Sequence, residues 1–300
     1  MNTHIEEHDD DQPIGRVLSR REVLALLGGA GATLIVGTGF TRLNISQQAG
    51  TATPVATSVP SCVVRPELTE GPYFVDEQLN RSDIRVEPSD GSIVDGIPLY
   101  LKFRVSNVSA NACMPLAGAQ VDIWHCDADG EYSGVQDQGF DNADEMWLRG
   151  YQVTDEDGIA EFLTIVPGWY SGRAVHIHFK IRTTGTDEQS YEFTSQLFFD
   201  PELIEEIYAE EPYVDKGLPD TSNETDSIYQ QSEDLLTLEL VEMEAEEIEA
   251  LREKIEVSEL EAGYTAIFNI GLDLSDTEVS TSDSASGGNG GFPGGTRPGG

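Results

Sequence analysis

Positive charge is scarce in this 300-residue chain: 17 Lys and Arg stand against 55 Asp and Glu, a formal net charge of −38. A field of that sign repels polyphosphate backbones and anionic lipid surfaces, which excludes nucleic acid and the membrane surface as partners. Carboxylates so numerous and so scattered keep a surface hydrated in concentrated salt, where the Debye length shrinks to about 3 Å at 1 M. The expectation is a fold that loosens in dilute buffer; no substrate follows from the acidity. Cysteine is nearly missing too. Cys62, Cys113 and Cys126 allow at most one internal disulfide, and none has zinc-finger spacing, which argues against a cysteine-rich zinc site. Nor is there a long apolar run. The stretch Val23 to Val36 is about 14 residues, short of the roughly 20 that cross a bilayer.

That short run follows Ser19-Arg20-Arg21, the twin-arginine pattern of an export signal. Residues 1–44 are therefore expected to direct export to the cell surface or medium, by a route that carries folded proteins; a retained N-terminal anchor is the alternative. Export favours oxidation, so one disulfide is expected among the three, Cys113 with Cys126 or Cys62 with either, and the sequence does not choose between them. Residues 45–61 read as a Thr- and Pro-containing linker, and residues 275–300 as a disordered Gly- and Ser-rich tail. Between them, residues 62–274 suit one domain with its own core.

Within that domain the pattern is strand-like. Residues 98–106, 119–125, 159–166, 174–182, 193–199 and 264–274 show alternation or short apolar runs, punctuated by turns such as Asp129-Gly130 and Asp157-Gly158. The fold class is all-β: a sandwich of mainly antiparallel strands with long loops. The acidic stretch from Glu242 to Ile255 reads as a surface helix, a solvated excursion without a clean apolar stripe.

Chemistry concentrates at His176-Ile177-His178. In a strand, period-two geometry puts both imidazoles on one face about 6.5–7 Å apart along the chain, close enough to converge on one metal. Paired strand histidines are also often structural. No Asp or Glu adjoins them, which weakens a two-His-one-carboxylate iron(II) triad. Tyr170 and Arg173 precede the pair, and Tyr132 follows the Asp129-Gly130 turn. Two phenolates with two imidazoles make a hard, anionic donor set that favours iron(III). His125, beside Cys126, reads as structural, since no third ligand lies at useful spacing.

The pieces TEGPY (69–73), RSDIR (81–85), GIPLYLKFRV (96–105), PLAGAQVDIWHCDADGEYSG (115–134), LRGYQVTDEDG (148–158), FLTIVPGWYSGRAVHIHFKI (162–181) and TSQLFFD (194–200) together resemble the intradiol ring-cleavage dioxygenases, in order and spacing. DIWHCDA and GWYSGR are most similar to the exported single-chain branch, and the composition is of haloarchaeal type. The resemblance implies that Tyr132, Tyr170, His176 and His178 hold Fe(3+), and that Tyr170 is the ligand which substrate displaces. Arg173 then stabilises charge on the substrate ring. Gln196, Pro72 and Tyr73 line the substrate pocket. The implied reaction cleaves catechol-type aromatics with O2 to cis,cis-muconate-type diacids, with no organic cofactor. The family forms varied oligomers, so a homo-oligomer is compatible.

Two other readings fit parts of the chain. A non-catalytic surface-binding sandwich explains strands, export and acidity but not the Tyr/His set. A zinc hydrolase using His176 and His178 leaves both tyrosines unexplained. A carboxylated substrate would need a cation nearby, for which Arg85, Arg104, Arg149, Lys102 and Lys180 are candidates; neutral catechols are the expectation. Asn44, Asn107 and Asn223 begin N-x-Ser/Thr sequons.

Overall fold

The computed structural model describes residues 63–109, 112–185, 190–232, 234–255, 257 and 260–275. The export pattern, Cys62 and the Gly/Ser-rich segment from residue 276 lie outside them, and the linker does too.

Two sheets face each other, as the alternation predicts. The first is organised around β1 (Pro98–Ser109), half of whose residues are buried. One edge of β1 pairs in parallel with β11 (Tyr264–Leu272). Its other edge is shared by two antiparallel strands placed end to end: β7 (Ile159–Ile165) against residues 98–104, and β2 (Ala112–Pro115) against residues 106–109. A two-residue strand, β10 (Val241–Glu242), closes the outer side of β11. The second sheet is antiparallel throughout, in the order β6 (Arg149–Val153), β3 (Gln120–Trp124), β8 (His176–Thr184), β9 (Ser190–Phe198). A small hairpin, β4 (Gln136–Asp137) and β5 (Phe140–Asp141), stands apart.

The inner faces are read directly from the alternation. Leu99, Leu101, Phe103 and Val105 of β1 meet Val121 and Ile123 of β3, and Ile177, Phe179 and Ile181 of β8. Phe103 is the centre of an aromatic knot, with ring centroids 5.3 Å from Phe179 and 5.8 Å from Phe268. Burying Ile177, Phe179 and Ile181 between the sheets turns His176, His178 and Lys180 to the opposite face of β8. That outer face carries the candidate site.

Beyond β9, Asp200 caps α1 (Pro201–Ile207) by accepting hydrogen bonds from the Glu202 and Leu203 amides. The segment then passes through two short turns, Tyr213–Asp215 and Tyr229–Gln231. The expected acidic helix exists as α2 (Ala245–Ile255), but it is not a solvated excursion. Ile248 and Leu251 are buried with Tyr100, Leu163, Met243 and Leu260, and Ile255 packs at their edge. The apolar stripe is Ile248–Leu251–Ile255, spaced at three and four residues, and it covers the outside of the first sheet.

The structure narrows the open cysteine pairing. Cys113 is disulfide-bonded, whereas Cys126 is a free, buried thiol whose Sγ lies 3.5 Å from the Gly168 carbonyl. Cys113 and Cys126 therefore do not pair. Asn223 is buried and its Nδ2 donates to the Phe199 carbonyl at 2.9 Å, so that sequon presents no free acceptor. Among the described residues no helix is long and apolar enough to cross a membrane.

Candidate metal centre

Register across the second sheet sets the site. His178 of β8 stands opposite Trp124 of β3 on one side and Gln196 of β9 on the other. The Trp124 indole stacks on the His178 imidazole with centroids 5.0 Å apart and planes 8° from parallel. Gly71 packs against the Cε1 edge of the ring, so close that a Cβ would lie 3.1 Å from that atom. Lys180, two residues farther along the same face, forms a salt bridge with Glu70 and so ties down the segment that carries Gly71.

The neighbouring histidine is oriented by its own backbone. His176 Nδ1 donates to the Ala174 carbonyl at 2.6 Å, which leaves Nε2 with a bare lone pair. That Nε2 lies 3.0 Å from His178 Nε2 and 3.2 Å from the Tyr170 hydroxyl. Donors sharing an ion at bonds of about 2.1 Å are separated by roughly 3.0–3.4 Å. Both gaps fit.

The two tyrosines arrive on separate loops that interlock through glycine. Gly130, at φ +79°, lies against the Trp169 carbonyl, and Gly168 against the carbonyls of Asp127 and Ala128. In both places a Cβ would fall within 2.4 Å of backbone oxygen, so only glycine permits the approach. The result sets the Tyr132 and Tyr170 rings 5.9 Å apart in an edge contact. Tyr132 is 1% exposed, and among the described residues its hydroxyl has no hydrogen-bond partner. A buried phenol so orphaned costs stability unless something occupies its lone pairs.

Electrostatics agree with that reading. Burial pushes the Tyr170 phenol up to about 12 and Tyr132 well above its ordinary range. Burial also pushes His176 down to about 3 and His178 well below normal. Neutral imidazole is the ligand form, and a bound cation reverses the penalty on the phenolates. Among the described residues no three His, Cys, Asp or Glu side chains gather as a metal site. The histidines have phenols for company, which suits iron(III) rather than zinc or iron(II).

Around this set, Tyr73 stacks on Tyr132 at 4.5 Å between centroids and meets Tyr170 edge-on at 6.1 Å; its hydroxyl donates to Asp137 of the small hairpin. Pro72 is exposed beside it. Gln196 is fully buried, donates to the Thr69 carbonyl at 2.9 Å and accepts from the Arg173 guanidinium at 2.5 Å. All eight residues singled out from sequence thus lie in or around one site.

The chain has counterparts among known proteins. Residues 69–214 match the family model described as Dioxygenase. The chain is 28% identical over 150 residues to chlorocatechol 1,2-dioxygenase of Pseudomonas putida, covering 44% of this chain and 52% of that protein. It is 29% identical over 186 residues to catechol 1,2-dioxygenase of Candida albicans, 55% of this chain and 51% of that one. It thus spans about half the length of these relatives. A solved intradiol ring-cleavage dioxygenase from Tetranychus urticae superposes with a TM-score of 0.55 at 29% identity, over 72% of this chain and 97% of that one. In sequence and in fold this chain is similar to the intradiol ring-cleavage dioxygenases.

His125 is structural, as expected: its Nδ1 donates to the Cys126 carbonyl at 2.8 Å and its Nε2 accepts from the Thr164 hydroxyl at 2.6 Å. Each of the five candidate cations has a partner of its own. Arg85 pairs with Asp83, Lys102 with Glu161, and Lys180 with Glu70 and Glu192. Arg104 reaches Asn269, and Arg149 holds the Ser133 and Tyr73 carbonyls. Two residues of the site went unread in the sequence. Trp124 sits inside DIWHCDA, where its position opposite His178 could have flagged it. Asp226, whose Oδ2 accepts from Arg173 Nε at 2.9 Å, lies beyond the matched residues and carries no local signal.

Proposed function

We propose that this protein is a non-haem iron(III) dioxygenase that opens catechol-type rings between the hydroxyl-bearing carbons, converting catechol and O2 to cis,cis-muconate-type diacids. The observation that carries the reading is the convergence of Tyr132, Tyr170, His176 and His178, with a buried, unpartnered phenol among them. Iron(III) bound there supplies Lewis acidity toward the catechol oxygens and couples the electron-rich ring to O2.

The chain's own groups do the rest. Tyr170 Oη, less enclosed than Tyr132, accepts a catechol proton as its phenolate, in keeping with a ligand that substrate replaces. Arg173 places its guanidinium beside the ring to stabilise the carbanion character that develops on carbon. Gln196 orients that guanidinium through its Oε1. Tyr73 and Trp124 wall the site with apolar surface and limit water. Both atoms of O2 end in the diacid, so no external reductant is consumed. With each of the five candidate cations already partnered, neutral catechols suit the site better than carboxylated ones. The Ser19-Arg20-Arg21 pattern supports twin-arginine export of the folded, metal-loaded protein to the surface or medium.

The test is a visible spectrum of purified protein in molar salt, before and after anaerobic catechol, followed by air and product identification. A burgundy charge-transfer band that moves to longer wavelength with catechol, then a muconate product, is expected. A colourless, iron-free protein after reconstitution, or an extradiol product, sinks the proposal.

A further inference from the structure

Arg173 is gripped from two directions. Its Nε donates to Asp226 Oδ2 at 2.9 Å, and its Nη2 donates to Gln196 Oε1 at 2.5 Å. A planar group held at two of its nitrogens loses its freedom to swing about the side-chain stem. The Asp226 carboxylate is itself held: Oδ2 also accepts from the Ala174 amide at 2.8 Å, and Oδ1 accepts from the Ile228 and Tyr229 amides at 2.7 and 3.1 Å. The Asp226 side chain is 1% exposed, whereas Arg173 keeps 18%. One end of this ion pair is locked into backbone, and the other faces the site.

The rest of the segment after α1 holds the same loop. Asp220 accepts from Ser171 Oγ at 2.6 Å and from the Gly172 amide at 3.1 Å. Trp169 Nε1 donates to the Gly217 carbonyl at 2.8 Å. The loop 169–174, which bears both Tyr170 and Arg173, is thus fastened at three points by residues 217–226, all beyond the stretch that the family model matches.

We infer that Asp226 is the positioning residue of Arg173, and that the segment after α1 serves as a strap holding the Tyr170–Arg173 loop over the site. The inference rests on the ring-cleavage reading above and goes beyond it by assigning a role to a segment outside the matched region. The two carboxylate oxygens do separate jobs: Oδ1 stabilises the turn at 228–231, and Oδ2 orients the guanidinium. In Asp226→Asn the amide oxygen can keep the turn, while its NH2 opposes two donors, Arg173 Nε and the Ala174 amide.

The experiment is a double-mutant cycle in molar salt on the iron-loaded full chain: wild type, D226N, R173A and R173A/D226N, with kcat and KM for catechol. Alongside it, phenylglyoxal modification of Arg173 in metal-free protein is followed by peptide mass. D226N should lower kcat roughly ten- to hundredfold with KM within about threefold and the tyrosinate band unchanged. On the R173A background it should cost less than about twofold. Modification of Arg173 should accelerate severalfold in D226N, because the ion pair no longer shields it. Equal losses in both backgrounds, loss of the band, or an unaltered modification rate would each overturn the assignment. If D226N unfolds the strap, Asp226→Ser keeps one oxygen for the turn amides and takes its place. If wild type is colourless or inert toward catechol, the ring-cleavage reading is what fails, and the modification rate alone decides the Asp226–Arg173 contact.

Discussion

Gly130 and Trp169 meet backbone to backbone, so closely that a Cβ on Gly130 would lie 2.0 Å from the Trp169 carbonyl oxygen. This contact holds the loop of Tyr132 against the loop of Tyr170. Gly130→Ala adds that clash to a positive φ, and should cost more than about 2 kcal/mol of stability. More tellingly, it should part the two phenols and lower iron content. Unfolding midpoints and iron stoichiometry check both; an alanine variant with wild-type iron and stability would show that the loops meet some other way.

The α2 helix offers a contrasting case. Leu251 is 3% exposed and packs with Tyr100 and Leu163 on the far side of the first sheet from the Tyr/His cluster. Leu251→Ala should cost about 2–4 kcal/mol, with the charge-transfer band unaltered. A variant as stable as wild type would restore the picture of a solvated helix.

A pH dependence follows from His125. Fully buried and neutral, it is pushed by burial from its ordinary 6.5 down to about 4. Between those values the unfolded chain binds the proton and the folded one does not, so stability falls as pH is lowered through that window and levels off below it. The loss approaches on the order of 3 kcal/mol. Denaturation curves of wild type and His125→Gln between pH 7 and 4 give the check, as other groups cancel in the difference. Parallel curves would mean that His125 is charged in the fold.

Salt should act on the whole molecule. With a net charge of −38, self-repulsion is screened over about 10 Å at 0.1 M salt and about 3 Å at 1 M. The thermal midpoint is expected to climb through that range and the charge-transfer band to sharpen with it. A midpoint indifferent to salt would remove the case for a saline habitat.

How far the sequence could be read depended on how local each signal was. The strands that form the core, from Leu99 to Val105 and from Ile177 to Ile181, announced themselves by alternation because each has one face in the core. Arg149–Val153 did not: as an edge strand with half-buried residues it lacks the pattern, although it lies inside LRGYQV. The stripe of α2 was missed because it starts from Ile248, not from Leu240 or Met243, which precede the helix. In the site, His176 and His178 were legible as a period-two pair, and the tyrosines through their motifs. Asp226 was not, since 53 residues of chain separate it from Arg173 and only the fold closes that distance.

The parallel pairing of β1 with β11 sets Leu99 beside Tyr264 and Asn107 beside Leu272. β1 therefore keeps one open edge until the final strand of the domain has left the ribosome. A nascent chain that ends before Tyr264 exposes the unpaired amides and carbonyls of that edge, along with the apolar side chains around Phe103. The sheet closes last at its centre, a long-range contact of the kind that folds slowly. Any pathway that moves this domain in folded form must therefore wait until the strand Tyr264–Leu272 has docked beside β1.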